Sequence, residues 1–187
     1  MKLDLYDFDK TVYPTDSATA FWLFCLVRYP YILAYLPFQL LFALLWGVGV
    51  FSTGQFKSLF LRFVGMIPTE KAVRRFWDKH EKKIYPWFQP DKRENFTVVI
   101  SASPDFLLGE ICRRLKTDRL ICTKCDAKTG KILGENCKGA EKVRRLREEL
   151  GAVEVEAVYS DNVKSDAPMF ALGRIKYHTV NGEKIRL

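Results

Sequence analysis

The sequence predicts an α/β fold, a Rossmann-like core with a parallel sheet and an all-helical, strongly apolar insert after the first strand. Three observations predict it. After residue 96 the chain reads strand, helix, hairpin, helix, strand, helix, strand, the alternation that builds a parallel sheet. Asp7, Ser101 and Asp161 each end an apolar strand-like segment, and open α/β sheets bind ligands beyond the carboxyl ends of their strands. Between the first strand and residue 96 the pattern is helical, and the run at 29–51 carries no charged residue.

In chain order, residues 3–6 are apolar enough for a buried strand ending at Asp7. Residues 13–17 form a turn, with Asp16 or Ser17 suited to cap a helix. The run at 29–51 is long enough for a membrane span, but Pro30 and Pro37 break or kink such a helix and Gln39 is polar. Residues 54–85 read as helix, with Pro68-Thr69-Glu70 opening a new one whose face is rich in lysine and arginine. Residues 97–100 form a second buried strand ending at Ser101. Ser103-Pro104 is then expected to cap a helix over 105–116. Residues 120–125 and 131–133 flank Lys128-Thr129-Gly130 as a hairpin. A helix over 139–150 stops at Gly151, a strand over 153–159 ends at Ser160-Asp161, a short helix spans 166–172, and a last strand spans 175–180.

A chain of 187 residues makes one domain of ordinary size with room for an inserted subdomain. We divide it into a core of residues 1–11 and 96–187 and a helical insert of residues 12–95. With 48% hydrophobic and 28% charged residues, disorder is excluded as the general state. Thirty basic residues against 22 acidic give a net charge of +8, which favours anionic partners: nucleic acid, anionic lipid or a phosphorylated substrate. No recognition motif supports nucleic acid. Five cysteines, an odd number, read as reduced thiols. Cys122 and Cys125 lack the second pair that a structural zinc site needs. The start, Met-Lys-Leu-Asp, lacks the order of a secretory signal.

Two carboxylates follow the first strand. Asp7 is placed to attack phosphorus, and Asp9, returning to the same side after Phe8, to protonate the leaving oxygen and then activate water. Alone, this pair also fits an acidic turn. Four segments in order then resemble the haloacid dehalogenase superfamily of phosphatases, in its phosphoserine-phosphatase-like branch: DFDKT, VVIS ending at Ser101, NCKGAEKV, and YSDNVKSD. The resemblance implies that Asp7 is the nucleophile and Asp9 the general acid/base. It implies that Ser101 hydrogen-bonds the phosphoryl group and that a lysine contacts the phosphate. Lys142, three positions after the glycine, is preferred, with Lys138 as the alternative. It implies Mg2+, held by the Asp7 carboxylate, the Asp9 backbone carbonyl and Asp161, with Asp166 a further ligand through water or else a helix N-cap. Lys10 departs from the glycine or small residue often found there. Thr11 is expected to orient the turn, and His80 and His178 to be structural or surface residues.

In this superfamily the insert forms a cap that selects the substrate. The apolar, aromatic cap with its basic face fits an amphiphile with a phosphate headgroup, and the chain most resembles the phosphatidylglycerophosphatase C branch. The implied partners are a phosphorylated lipid and the cytoplasmic face of a membrane. Because both ends of the insert return to one core, it must cross twice, re-enter or lie in the interface. Rival readings are a soluble, phosphoserine-like phosphatase whose cap is buried in a dimer, and a non-catalytic membrane-binding module.

Overall fold

The computed structural model describes residues 2–187. Six strands form one sheet in the order β3-β2-β1-β4-β5-β6. These are β1 (Lys2–Tyr6), β2 (Phe96–Pro104), β3 (Arg119–Thr123), β4 (Glu154–Ser160), β5 (Gly173–Val180) and β6 (Glu183–Arg186). All pairs are parallel except β5 with the edge strand β6. β1 lies between β2 and β4, so the residues that follow it emerge at the middle of the sheet's carboxyl edge. Buried residues alternate between two apolar layers. Leu3, Leu5, Val98, Ile100 and Val158 pack on one face against α6 (Ala140–Leu150) and α7 (Ala167–Phe170). Tyr6 and Val99 pack on the other with α5 (Asp105–Arg114) and the insert.

The insert is helical, as expected. α1 (Ser17–Arg28) begins where Asp16 Oδ1 accepts the Thr19 N–H at 2.7 Å, and it buries Ser17, Phe21 and Cys25 at helical spacing. A 3-10 segment, Pro30–Tyr35, leads into α2 (Leu36–Gly47). Both prolines lie at the first turn of a helical segment, where the missing N–H costs nothing, so they start structure rather than break it. α3 (Thr53–Phe60) opens with a Ser52/Gln55 capping box. A second 3-10 segment, Leu61–Met66, precedes α4 (Thr69–His80). α4 buries Ala72, Val73, Phe76 and Trp77 and turns its basic residues outward.

α2 is inside out. Its one buried residue is the polar Gln39, 2% exposed, which accepts from Trp22 Nε1 at 3.2 Å and donates to the Phe60 carbonyl at 3.0 Å. Its leucines face outward, with Leu44 63% exposed. The 18 residues of Pro30–Gly47 are long and apolar enough to cross a membrane by length and composition, yet only 11% are buried.

Insert and core are pinned together. Arg114 of α5 meets Glu110 at 2.8 Å and reaches Asp78 and Glu81, on and beside α4, at 2.9 and 3.0 Å. Trp77 Nε1 donates to the Leu107 carbonyl at 2.8 Å. Gly130, at φ +72°, lets the core loop come against the Leu61 backbone; a Cβ there would lie 2.1 Å from the Leu61 oxygen.

Three local expectations need correction. Ser103 does not cap α5: β2 runs on through Pro104, and Asp105 serves the turn by accepting the Phe106 and Cys125 N–H groups. The hairpin at 120–133 shrinks to a single antiparallel bridge, Cys125 with Ile132, because Asp126 turns the chain through its bonds to Lys128 and Thr129. The helix over 166–172 is only four residues, followed at once by β5.

Candidate active site

The carboxyl edge of the sheet gathers the motif residues. Asp7 follows β1, and its N–H bonds the Tyr159 carbonyl at 2.9 Å, which continues the β1–β4 pairing and fixes where its side chain emerges. Lys142, in the first turn of α6, is 3% exposed. Its Nζ lies 2.7 Å from Asp7 Oδ1 and 2.9 Å from Asp166 Oδ2. Asp166 also accepts from Ser160 Oγ at 2.7 Å, and its side chain makes no capping bond to α7. Of the two candidate lysines, the structure brings Lys142 into the cluster and leaves Lys138 exposed.

Thr11 ties two loops. Its hydroxyl is 3.4 Å from Asp7 Oδ2 and accepts the Asp161 N–H at 2.9 Å. His178 Nε2 lies 2.9 Å from the Asp161 carbonyl, so this histidine steadies the loop after β4. His80 lies 2.6 Å from the Tyr13 hydroxyl, away from the cluster. Lys10 occupies the left-handed region at φ +58°, which explains why a glycine or small residue suits that position.

Asp9 sits beside the cluster, where its Oδ1 accepts the Ser17 N–H at 2.8 Å and its Oδ2 accepts the Ser103 hydroxyl. The Ser17 hydroxyl in turn lies 3.1 Å from that of Ser103. Ser101, 1% exposed, accepts the Ser103 N–H at 3.1 Å. The sequence marks Ser103 only as a helix cap; the strand runs on past Ser101 with a register shift before Pro104, and this places the Ser103 hydroxyl against Asp9. Lys57 gave no signal. It arrives from α3 by tertiary docking, with Nζ 3.3 Å from both the Ala102 carbonyl and Asn136 Oδ1.

The electrostatics follow from burial. Burial pushes Asp7 up to about 6, with Lys142 opposing the rise and Asp166 and Asp161 adding to it. Burial pushes Asp9 up to about 7, helped by Asp16 and opposed by its bonds to Ser103 and Ser17. Asp161 is raised, first by burial and then by the charge of Asp166, with Lys10 pulling the other way. Burial works against the Lys142 charge, but Asp7 and Asp166 outweigh it, so this lysine stays protonated. All five cysteines are free and buried, and burial raises every thiol, which leaves no poised thiolate.

A cavity of about 350 Å³ opens between insert and core, lined by Asp9, Lys57, Phe56, Phe60, Ser103 and Ile132 among others. The arrangement provides a buried carboxylate at a strand end, a second one with a raised pKa facing a cavity, a fixed ammonium group and a serine hydroxyl. Such a set can carry a group transfer to Asp7 with proton transfer at Asp9. Among the described residues no three His, Cys, Asp or Glu side chains converge tightly enough to hold a metal ion by themselves.

Comparison with known proteins identifies the family and the fold. The family model for haloacid dehalogenase-like hydrolase matches residues 5–171. Protein CicA of Caulobacter vibrioides is 37% identical over 89 residues; the match spans 44% of this chain and 40% of that protein. Among solved structures, a protein with unknown function from Bordetella pertussis Tohama I superposes with a TM-score of 0.64 at 18% identity, over 95% of this chain and 80% of the other. A phosphoserine phosphohydrolase-like protein from Francisella tularensis gives 0.63 at 14%, over 98% and 90%. A probable phosphoserine phosphatase from Vibrio cholerae gives 0.66 at 12%, over 94% and 55%. At these identities the structures share the fold.

Proposed function

The chain belongs to the haloacid dehalogenase-like hydrolases, and on that premise we propose that it is a magnesium-dependent phosphomonoester hydrolase working through an aspartyl-phosphate at Asp7. The observation that carries the reading is the juxtaposition of Asp7 with Lys142, 2.7 Å apart at the end of the central strand, next to a cavity that Asp9 lines. Asp7 attacks phosphorus while Asp9, with a carboxyl near pKa 7, donates its proton to the leaving oxygen. Asp9 then takes a proton from the water that cleaves the aspartyl-phosphate. Lys142 and the Ser101 hydroxyl bind the phosphoryl oxygens, and Asp166 and Ser160 hold Lys142 in place.

The donor chemistry fits Mg2+. Asp7, Asp161 and Asp166 set three carboxylates near the buried ammonium of Lys142; burial is the main cause of the raised pKa of Asp7 and of Asp161, and the charges of the neighbouring carboxylates add to it. Mg2+ takes oxygen ligands, keeps several waters and needs only one or two carboxylates plus substrate phosphate, so a complete protein cage is not required. The Asp7 and Asp161 carboxylates and the Asp9 carbonyl would hold it, with Asp166 behind them. Bound there, it supplies positive charge to the phosphoryl oxygens.

For the substrate we favour a membrane lipid phosphate such as phosphatidylglycerophosphate, met at the cytoplasmic face of the membrane. The inside-out α2, with Leu40, Leu44 and Val48 exposed, supports this reading. The insert also exposes the bases Arg62, Lys71 and Lys79, which complement anionic lipid. The test is phosphate release, with and without Mg2+, from phosphatidylglycerophosphate, phosphatidic acid, phosphoserine and p-nitrophenyl phosphate. Release that requires Mg2+ and vanishes in Asp7→Asn supports the reaction; no release from any of them refutes it. Failure of the protein to bind anionic vesicles would refute the membrane part alone.

A further inference from the structure

The carboxylates of the candidate site are not all held in the same way. Asp7 is fixed by Lys142 and Thr11, Asp9 by Ser17 and Ser103, and Asp166 by Lys142 and Ser160. Asp161 differs. Among the described residues no other side chain bonds its carboxylate, so the place of that carboxylate is set through the main chain. There, both polar groups are taken by side chains. The Asp161 N–H donates to Thr11 Oγ1 at 2.9 Å, and the Asp161 carbonyl lies 2.9 Å from His178 Nε2. A carbonyl only accepts, so Nε2 carries the proton of this bond.

The two anchors come from different parts of the core. Thr11 belongs to the loop after β1 and also touches Asp7, so it ties the Asp161 loop to the nucleophile. His178 belongs to β5. Ser160 and His178 are the last register partners of β4 and β5, and Asp161 is the first residue beyond that ladder. The histidine side chain thus supplies a bond at the point where the backbone ladder stops. Farther on, the loop is held from within: Asn162 Oδ1 accepts the Ser165 N–H at 2.9 Å, and the Asn162 carbonyl accepts the Asp166 N–H at 2.9 Å. Without His178, the Asp161 main chain would keep only the Thr11 bond, beside an open cavity that Lys10, Asp161 and His178 line. We propose that His178 is a positioning residue for Mg2+: its Nε2–H fixes the Asp161 main chain and, with it, the carboxylate that the ion takes beside Asp7. The role rests on the reading of the chain as a magnesium-dependent hydrolase with Asp161 as a ligand. It belongs to a residue outside all four motif segments. Mg2+ demands near-ideal octahedral geometry, so it binds less well to a carboxylate that is free to wander. Groups that orient a metal ligand change metal affinity by about ten- to a hundredfold. His178 acts through a carbonyl rather than on the carboxylate itself, which places it at the lower end.

The experiment titrates Mg2+ into the metal-free full-length protein by calorimetry, without substrate, for the wild type, His178→Phe and His178→Gln. Phenylalanine keeps a ring of similar size but has no donor, whereas the glutamine amide offers an N–H at a similar reach. His178 is only half-buried, so neither change empties the core. His178→Phe should weaken Mg2+ binding about tenfold, and His178→Gln should recover most of the loss. His178→Ala, which adds no bulk, carries the same expectation as His178→Phe. A second readout is the Mg2+ dependence of p-nitrophenyl phosphate hydrolysis. His178→Phe should need about ten times more Mg2+ for half-maximal rate and regain the wild-type kcat at saturating Mg2+. A histidine with a merely structural role would lower Tm in EDTA and leave Mg2+ affinity unchanged. Equal affinity in all the proteins therefore overturns the proposal and leaves the reaction standing. Equal weakening by phenylalanine and glutamine also overturns it, because the donor would then not matter. Weaker binding in His178→Phe with rescue in His178→Gln supports it even if no phosphate is ever released, which would refute only the reaction. No Mg2+ binding by the wild type overturns both the magnesium reading and this role.

Discussion

Replacing Lys142 by methionine removes the cation that pairs with the buried carboxylates of Asp7 and Asp166. The ammonium is 3% exposed and lies 2.7 Å from Asp7 and 2.9 Å from Asp166, so neither partner can turn to water for compensation. Breaking a buried pair by deleting one member costs about 3–5 kcal/mol, because a charge is left without a counterion. In a chain of this size each kcal/mol lowers Tm by roughly 2–4 °C, so Tm should fall by roughly 6–20 °C at pH 7.5. The loss must depend on pH. Without Lys142 the folded-state pKa of Asp7, already raised by burial, rises further above the unfolded value of about 3.9. The folded state then binds more protons than the unfolded one, and stability returns as pH falls through that raised value toward 4. Urea unfolding followed by circular dichroism at pH 7.5 and pH 5.0, for wild type and Lys142→Met, measures both effects. A loss below about 1 kcal/mol, or one equal at the two pH values, would show that the lysine does not neutralise the carboxylates and would refute the argument.

Asp9→Asn should abolish phosphate release yet stabilise the protein above pH 7. The folded carboxyl titrates near 7 against about 3.9 unfolded, so ionised Asp9 costs up to about 4 kcal/mol above pH 7, and the cost disappears as pH falls to 4. Tm measured across pH 4–8 should show a wild-type decline on the alkaline side that the variant lacks; parallel curves count against the buried carboxylate. Lys10→Gly removes a non-glycine residue from φ +58° and should stabilise the turn by about 1 kcal/mol, read as a higher urea midpoint at unchanged slope. Gly130→Ala sets a Cβ against the Leu61 carbonyl and should cost at least about 2 kcal/mol while loosening the insert, seen as faster proteolysis within 12–95.

The core was legible because its signals are local. Strand-length apolar segments at 3–6, 97–100 and 153–159 end in polar residues, and the structure places all three as adjacent central strands. β6 escaped notice: Glu183–Arg186 is exposed along its length and carries no apolar alternation, since it is held by its ladder with β5 and by Lys184 over the Trp87 ring. The sequence prefers Lys142 by resemblance but keeps Lys138 as the alternative, because residues four apart on a helix share a face. The structure separates them because Lys138 precedes the first turn of α6 and Lys142 lies within it. Lys57 was invisible for a different reason. Its approach to Ala102 depends on Gly130 admitting Leu61 and on Arg114 pinning α4, neither of which leaves a local pattern.

The apolar run at 29–51 was legible as a run but not in its orientation. Pattern alone cannot say whether such a segment is turned into the protein or out of it; the single polar residue decides. Gln39 faces the insert because only there do Trp22 and Phe60 offer it partners, and a helix that turns Gln39 inward must turn Leu40 and Leu44 outward. Leaving such leucines in water forgoes about 1.5–3 kcal/mol each relative to burial, so this face gains by being covered. The neighbouring α3 forms one wall of the cavity beside Asp9: its Phe56 stacks on Trp46 of α2 at 5.0 Å, and its Phe60 lies against Trp22 of α1 at 5.4 Å. A cover over α2 would therefore bear, through the Trp46–Phe56 pair, on the wall that faces Asp9. On the proposed reading that cover is a lipid surface, which would also present the amphiphile to the cavity.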